Sequence, residues 1–371
     1  MSEEIVKPLI YKGRAASSNL VSRFDAHSRE ALDDGWGTLD EDAPPLRTEV
    51  MLDSAKSVIN YIDSPDIPFD RTINPYRGCE HGCIYCYARP SHTYLGFSAG
   101  LDFESRLLMK QNAPDLLRQE LARPNYRCAP IALGMNTDAY QPIEREYQLT
   151  RQIIEVLAEA KHPFTLVTKS ALVERDLDLI APMAAQGLVS IWLTITTLDR
   201  QVARRLEPRA AAPERRLQTL AKLAEAGVPC GVMVAPVIPA LTDSMLEQII
   251  EASYKLGVRR AGYVFLRLPL EIHALFEEWL QQYFPLKARH VMSLIRQSRG
   301  GKAYQSQFGK RMVGEGVFAD LLAQRFKRVC QQFEMQDERL ELNTQLFSAP
   351  QTWRAEAKSK LTKDSKQGSL F

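Results

Sequence analysis

Apolar stretches rich in β-forming residues alternate with stretches of helical periodicity between about residues 70 and 270, and this alternation constrains the fold most. The helical stretches repeat their apolar residues every three to four positions, and several close on a glycine, as helices commonly do. The predicted strands are 72–75, 130–138, 164–169, 188–197, 230–238 and 261–268. The clearest predicted helices are 145–160, 215–227 and 242–257.

Strand-then-helix units in a row indicate parallel strands joined by right-handed crossovers. Six such units are too few to close an eight-stranded barrel. The sequence therefore predicts the α/β class, as an open, partial (β/α)6 TIM-like barrel. In folds of this kind the chemistry lies at the carboxyl ends of the strands.

The predicted barrel spans residues 66–270, with different sequence on either side. Residues 1–65 are interpreted as an N-terminal arm, partly irregular, with an acidic excess in 25–53. Residues 271–345 read as a helical extension, and within it 285–328 carries ten Lys or Arg against two acidic residues. Residues 346–371 are polar and Lys-rich, which predicts a disordered tail.

The composition excludes several classes of protein. A net charge of +2 over 371 residues is no polyanion-binding signal by itself. No 18-residue apolar run is present, and the N-terminus has no apolar leader segment, so we expect a cytoplasmic protein without a membrane partner. Six cysteines in a chain of this length do not make a disulfide scaffold.

Three of those cysteines lie together in RGCEHGCIYCYARP, which starts at residue 77. Cys79, Cys83 and Cys86 follow the first predicted strand, where the catalytic edge of the barrel is expected. A structural zinc ion takes four ligands, and His81 or His92 can complete a Cys₃His set. Three thiolates can instead hold three irons of a 4Fe–4S cubane and leave the fourth iron open, as catalytic metal sites do.

CEHGCIYC is similar to the C-x₃-C-x-aromatic-C signature of the radical S-adenosylmethionine (SAM) superfamily. Further stretches resemble its spore photoproduct lyase-like, DNA repair photolyase-type branch, over about residues 10–345: NPYRGCEHGCIYCYARP, TDAYQPIE, TLVTKSALVERD, TITTLD, VMVAPVIP, RLPLEIHALFEEWL and GGKAYQSQFGKRMVGEG. The resemblance implies a 4Fe–4S cluster on the three cysteines and SAM on the open iron. It also implies an electron donor such as flavodoxin or ferredoxin, and cleavage of SAM to a 5′-deoxyadenosyl radical.

The resemblance also implies SAM contacts at the later strand ends. Family members usually show a Gly-Gly-Glu-like turn after the second strand, where this chain has Asn-Thr-Asp and Asp138 is predicted to accept from the SAM amine. Lys169 is predicted to pair with the carboxylate, unless it is simply a solvated lysine. Thr196 and Thr197 are predicted to hydrogen-bond ribose or carboxylate, with helix capping as the alternative.

Four more residues complete the predicted site. Arg209 can grip the carboxylate bidentately, and the strand end that contains Pro236 offers a flat apolar surface for adenine. Tyr85 lies where the family contacts adenine. Cys128 is a candidate hydrogen-atom donor by resemblance to spore photoproduct lyase. Because it precedes its strand, the alternative is a small buried residue, which is also the interpretation for Cys230 and Cys330.

Two features indicate partners. The basic segment 285–328 contains Tyr304 and Phe308, a mixture that can follow a nucleic-acid backbone and stack on a base, although a solvated helical surface is the alternative. The last five residues, QGSLF, resemble the peptides by which bacterial DNA-processing proteins dock on the sliding clamp. Gln367, Leu370 and Phe371 would make those contacts.

Three functions remain open from the sequence. The first is a radical SAM enzyme that repairs or modifies a nucleic-acid base in a lyase-like reaction. The second is a radical SAM enzyme acting on a peptide or a small molecule. The third is a zinc-stabilised nucleic-acid-binding module without catalysis.

Overall fold

The computed structural model of the chain describes residues 11–21, 23–24, 46–335 and 340–353. Its strands are β1 (Glu49–Leu52), β2 (Ile59–Tyr61), β3 (Arg71–Ile73), β4 (Tyr76–Arg77), β5 (Arg106–Met109), β6 (Ile131–Leu133), β7 (Phe164–Thr168), β8 (Val189–Thr194), β9 (Cys230–Val237) and β10 (Ala261–Phe265).

The α-helices within those residues are α1 (Leu101–Ser105), α2 (Ala113–Leu121), α3 (Glu144–Tyr147), α4 (Leu149–Glu159), α5 (Leu177–Ala184), α6 (Arg200–Leu206), α7 (Pro213–Glu225), α8 (Leu246–Lys255), α9 (Ile272–Tyr283), α10 (Pro285–Gln297) and α11 (Val317–Gln332). Short 3₁₀ helices cover Arg89–Leu95, Ala171–Asp176 and Asp243–Met245. No helix among the described residues has the length and apolar content needed to cross a bilayer.

The main sheet has the strand order β10-β9-β8-β7-β6-β3-β2. From β3 to β10 neighbouring strands are parallel and follow the order of the chain, whereas β2 pairs antiparallel with β3 at one edge. Within the described part of the chain β2 and β10 are the two free edges, so the barrel is open. The predicted partial (β/α)6 barrel is confirmed.

One large core joins the strands to the helices outside them. Leu166, Ile191 and Val232 on the central strands are completely buried. Leu322 and Val329 of α11 belong to the same core, because α11 packs on α8 and β10. The core of the barrel therefore continues past the predicted boundary at residue 270 and includes part of α11.

Helices α9 and α10 pack on each other over a second core, which also contains Ile84 and Tyr85 of the cysteine-rich loop. This second core places the loop between the barrel and the α9–α10 pair.

The stretch before residue 65, predicted to be partly irregular, contains β1 and β2. β1 pairs in parallel with β5 in a small sheet of order β1-β5-β4, and β2 adds to the main sheet. These strands are three or four residues long and depend on their pairing partners, which for β1 is a strand far along the chain, so local sequence alone does not reveal them.

Strand and helix bounds differ from the prediction where the backbone turns. The predicted strand 130–138 stops at Leu133, because Gly134 has φ of +73° and a Cβ atom there would lie 2.7 Å from the Ala139 nitrogen. The predicted helix 145–160 is interrupted at Gln148, whose φ is +51°. The helix predicted from residue 242 begins as a 3₁₀ turn and becomes α8 at Leu246.

Residues 340–353 pack across the amino ends of the strands. The Asn343 amide donates to the Gly187 carbonyl at 2.9 Å, and the Ser348 amide donates to the Ala160 carbonyl at 3.0 Å. Trp353 is buried against the main core. The predicted disordered tail thus begins with an ordered segment, and residues 354–371 lie outside the described part of the chain.

Candidate functional site

The loop that follows β4, residues 78–88, carries the three cysteines at the carboxyl end of the barrel; we call it the cysteine loop. Cys79 and Cys83 are each 7% exposed and Cys86 is half-buried, and all three are free thiols. The loop is wound into tight turns, since the Gly82 amide donates to the Cys79 carbonyl and the Cys86 amide to the Cys83 carbonyl, both at 3.2 Å.

Glycine is required at two positions of this loop. Gly78 and Gly82 have φ values of +76° and +66°. A Cβ atom on Gly82 would lie 2.6 Å from a carboxylate oxygen of Glu104, and one on Gly78 would lie 2.6 Å from Leu107. The loop can therefore approach its support closely only without side chains there.

A buried ion pair supports the cysteine loop from below. Arg89 and Glu104 are both completely buried and lie 2.5 Å apart. Arg89 also donates to the carbonyls of Gly82 at 3.1 Å and Cys83 at 2.9 Å. Glu104 accepts from the backbone amides of residues 15–16 at 3.0 Å. Sequence reasoning missed this pair, because neither residue stands in a pattern that distinguishes it from a surface charge.

Burial favours the protonated form of the Cys79 and Cys83 thiols in the metal-free chain. Burial raises the pKa of Cys83 to about 12, although the Lys169 cation opposes the rise. Burial raises the pKa of Cys79 well above its ordinary value, and the Asp138 charge adds to the effect. Metal binding requires thiolates, so loading the site releases protons.

The described residues contain no group of three Cys, His, Asp or Glu side chains positioned around a single metal ion. A cubane does not need such convergence, because each cysteine binds a different iron.

A buried polar network lies beside the loop and contains two of the predicted residues. Tyr85 donates its hydroxyl to Glu207, and the Thr196 hydroxyl lies 2.7 Å from the same carboxylate. Arg216 pairs with Glu207 and donates to the Thr194 carbonyl at 2.8 Å. Burial works against the charge of Glu207, but Arg216, Lys169 and the Tyr85 hydrogen bond together outweigh it and lower the pKa of Glu207 to about 2. Glu207 and Arg216 were not predicted as site residues.

Lys169 directly follows β7 and reaches toward Tyr85, with its Nζ 5.8 Å from the ring centroid. Burial lowers the pKa of Lys169, but its interactions with Cys83 and Glu207 raise it by more in total, so the net shift is upward and the amine is charged at neutral pH. Lys169 makes no salt bridge within the described residues. Arg209, in contrast, is held 3.1 Å from Glu80.

Asp138 links the ends of β6 and β7. Its Oδ1 accepts from the Thr168 hydroxyl at 2.7 Å and the Tyr140 amide at 2.9 Å, and its Oδ2 accepts from the Lys169 amide at 2.8 Å. His81 Nδ1 lies 3.2 Å from the same oxygen. Burial opposes the charge of Asp138, but His81 and these hydrogen bonds lower its pKa well below the usual range. Asp138 is therefore a fixed negative charge.

Thr197 and Pro236 lie at the same edge. The Thr197 hydroxyl accepts from the Asp199 amide at 3.1 Å, and Asp199 caps α6, so the structure gives Thr197 the turn contact that was the alternative to a ligand role. Pro236 is buried near the end of β9, after a cis peptide bond.

Cys128 is at the other end of the barrel. It precedes β6, on the amino side, and burial raises its pKa to about 11 while the nearby Arg71 opposes that rise. The structure does not bring Cys128 to the cysteine loop, so its position gives the hydrogen-donor prediction no support. Cys230 is buried at the start of β9, as expected of a small core residue.

The basic segment 285–328 is not one charged surface. Arg299 is buried, while Arg296, Lys310, Arg311 and Arg325 pair with carboxylates. The remaining basic residues lie on α10, on α11, which packs on a different part of the molecule, and in the connection between the two helices: Lys287 and Arg289, Lys327 and Arg328, and Lys302 respectively. The net charge of the segment thus overstates its exposed charge.

Solved structures of similar fold include spore photoproduct lyase complexed with dinucleoside spore photoproduct, with a TM-score of 0.54 and 19% sequence identity over 76% of this chain and 79% of that one. A variant of that enzyme with bound AdoMet and the dinucleoside spore photoproduct gives a TM-score of 0.53 and 18% identity over the same shares. At this identity the likeness shows a shared fold.

Relatives by sequence include an uncharacterised protein of Mycobacterium tuberculosis, 38% identical over 244 residues that cover 65% of this chain and 72% of that protein. An uncharacterised protein of Methanocaldococcus jannaschii is 28% identical over 242 residues, or 64% of this chain and 85% of that protein. The family model of the radical SAM superfamily matches residues 73–252, which contain the cysteine loop and the strand ends described above. The chain belongs to the radical SAM superfamily.

Proposed function

We propose that this radical SAM enzyme repairs or modifies a nucleic-acid base in a reaction like that of spore photoproduct lyase. The observation that carries the proposal is the cysteine loop: three buried or half-buried thiols at the carboxyl edge of an open barrel, with one charged lysine beside them. A catalytic edge that buries thiols and a lysine without a salt bridge is suited to a bound cofactor rather than to stability.

The donor set fits a 4Fe–4S cluster held by Cys79, Cys83 and Cys86. Thiolates are the ligands such clusters take, and the loop offers no fourth cysteine. When bound, a reduced cluster of this family supplies the electron that cleaves SAM to a 5′-deoxyadenosyl radical, which removes a hydrogen atom from the substrate.

The protein's own residues then bind and orient SAM. Lys169 is a cation beside Cys83 that makes no salt bridge within the described residues, so we assign it the SAM carboxylate. Arg209 can join it only by leaving Glu80. Asp138 attracts the amino group while its oxygens stay bound to the strand ends.

Three further predicted residues form the adenosine side of the proposed site. Hydrogen bonds to Glu207 hold the side chains of Tyr85 and Thr196 in one orientation. The buried Pro236 adds apolar surface near the end of β9.

Two observations support a nucleic-acid substrate. The similar fold of spore photoproduct lyase is seen with a dinucleoside lesion. Arginines and aromatic side chains also lie together beyond β10 in this chain, since Arg311 stacks on Phe308 and Tyr304 lies near Arg299. A base inside a duplex would have to be flipped out to reach this edge.

The test is the rate of 5′-deoxyadenosine formation from SAM, measured anaerobically with dithionite. The rate with ultraviolet-irradiated DNA is compared with the rates with unirradiated DNA, with a peptide mixture and without additions. We expect irradiated DNA to give the largest stimulation, together with a changed base in the DNA digest. Stimulation by the peptides and not by DNA would favour the second function, a radical enzyme on another substrate.

The C-terminal peptide QGSLF lies outside the described residues, and its docking on a sliding clamp stays a proposal. Deleting 367–371 should abolish clamp binding without changing the iron content of the enzyme. Unchanged clamp binding would refute it.

A further inference from the structure

Three arginines gather at the carboxyl end of β10, beside the cysteine loop. We call Arg267, Arg299 and Arg311 the arginine pocket. The guanidinium of Arg267 lies 4.7 Å from the centroid of the Tyr87 ring. Tyr87 directly follows Cys86, and its hydroxyl donates to the Met135 carbonyl at the end of β6. The pocket therefore adjoins the loop that carries the cluster ligands.

The positive charge of this pocket exceeds the negative charge around it. Arg311 pairs with Asp66, and Lys310 takes the other nearby carboxylate, Glu315, at 2.7 Å. Arg299 is 1% exposed and donates only to backbone carbonyls, among them that of Leu266 at 2.7 Å. Its Nε has no hydrogen-bond partner.

Arg267 is half-buried, and within the described residues its guanidinium has the Tyr87 ring but no carboxylate partner. Arg267 and Arg299 thus form no ion pair in the part of the chain that the structure describes, and the charges of Asp66 and Glu315, which also act on them, are already paired with Arg311 and Lys310.

The electrostatics of the pocket agree with its geometry. Burial lowers the pKa of Arg299 to about 10, and the Arg267 charge contributes to that shift. Burial also lowers the pKa of Arg267; Arg311 adds to the shift, and Tyr87, Tyr304 and Asp66 oppose it. An excess of enclosed positive charge destabilises the folded state, and a bound anion would relieve that cost.

We infer that the arginine pocket binds a backbone phosphate of the nucleic-acid substrate, with Arg267 as the residue that contacts it. The inference rests on the proposed function, because it names how that substrate is held. A guanidinium supplies paired donors that match phosphate oxygens, and the flanking rings of Tyr87 and Phe308 can stack on a base or sugar. A phosphate held here places its nucleotide next to the cysteine loop.

The experiment uses the Arg267→Gln variant of the iron-loaded enzyme and a short fluorescein-labelled oligothymidylate, with binding followed by anisotropy over a range of salt concentrations. Arg259→Gln is the matched control. Arg259 flanks the amino end of the same strand and also lies over a tyrosine, with its guanidinium 4.3 Å from the Tyr254 centroid. Both variants remove one positive charge from an arginine stacked on a ring, at opposite ends of β10.

We expect Arg267→Gln to weaken oligothymidylate binding about tenfold. It should also reduce the slope of log K against log salt by about 0.7, the value for one phosphate contact on a single strand. Arg259→Gln should change neither quantity, and Arg267→Lys should restore the slope but only part of the affinity. Iron content and melting temperature, measured in parallel, show whether each variant is folded.

Equal losses of oligothymidylate affinity in Arg267→Gln and Arg259→Gln, or no loss of affinity in either, would overturn the inference. Failure of the proposed substrate gives a different result: the wild-type enzyme binds no oligothymidylate at all, which overturns the nucleic-acid assignment. In that case, melting temperatures measured with added inorganic phosphate show whether the bound anion is a free phosphate. If it raises the melting temperature of the wild type and not of Arg267→Gln, the pocket is an anion site for a free phosphate; if it raises neither, the pocket is no anion site.

Discussion

At the carboxyl ends of the strands the chain encloses thiols, a lysine and arginines without ion pairs, whereas at the amino ends half-buried aromatic rings pack on a buried, neutral histidine. The amino-end group contains Tyr126, His162 and Phe347, with ring centroids 5.2 to 5.7 Å apart. The two nitrogens of His162 both have partners, the Tyr126 hydroxyl at 2.7 Å and the Pro163 carbonyl at 2.9 Å. One end of the barrel is therefore built for binding and the other for stability.

The largest expected effect separates two cysteines at the two ends. Cys83→Ala should lose most of the bound iron and all detectable SAM cleavage, because one cluster ligand is removed. Cys128→Ala should keep both, since Cys128 precedes β6 at the amino end. Iron analysis and 5′-deoxyadenosine formation check both variants. If Cys128→Ala cleaved SAM normally but released no repaired product, the amino end would also take part in the reaction, and Cys128 would again be the candidate hydrogen donor.

The second expected effect is on the support of the cysteine loop. Arg89→Met leaves Glu104 buried without its partner, so the free energy of unfolding should fall by about 3–5 kcal/mol and the iron content should fall with it. Arg215→Met is the control, because its pair with Glu174 is partly exposed and should contribute at most about 1 kcal/mol. Urea unfolding measures both variants. Equal losses of unfolding free energy in the two variants would mean that Arg89 supports the cysteine loop no more than a partly exposed ion pair does.

The smallest expected effect concerns pH at the amino end. Burial lowers the pKa of His162 from 6.5 to about 4. Between these values the unfolded chain binds a proton that the folded chain does not, so stability is lost as pH falls from 6.5 toward 4, by up to about 3 kcal/mol. His162→Gln should show a smaller loss over this window, and the exposed His290→Gln should behave like the wild type. If the free energy of unfolding of His162→Gln fell with pH as steeply as that of the wild type, His162 would not be the group responsible.

That window is distinct from the one at the carboxyl end. The pKa of Glu207 is lowered from 4.5 to about 2, so its contribution is present above pH 4.5 and is lost as pH falls toward 2. Urea midpoints across pH therefore distinguish the two ends.

The barrel and the cysteine loop could be predicted from the sequence because each gives a local pattern. The barrel gives the alternation of strands and helices, and the loop gives three cysteines after the first strand. Lys169 and Tyr85 were predicted from their positions beside motifs, and the structure brings them together. Arg89, Glu104 and Arg216 were missed because they are ordinary charged residues whose burial depends on contacts far along the chain. β1 was missed because its partner β5 lies far along the chain, and β2 because it is only three residues long.

The central claim is that the cysteine loop holds a 4Fe–4S cluster with one iron open to SAM. Anaerobic reconstitution of the wild-type chain, followed by iron, sulfide and zinc analysis and by 5′-deoxyadenosine formation under dithionite, tests it most directly. The account predicts about four irons per chain and release of 5′-deoxyadenosine from SAM. Stoichiometric zinc without iron, and no cleavage of SAM, would contradict it.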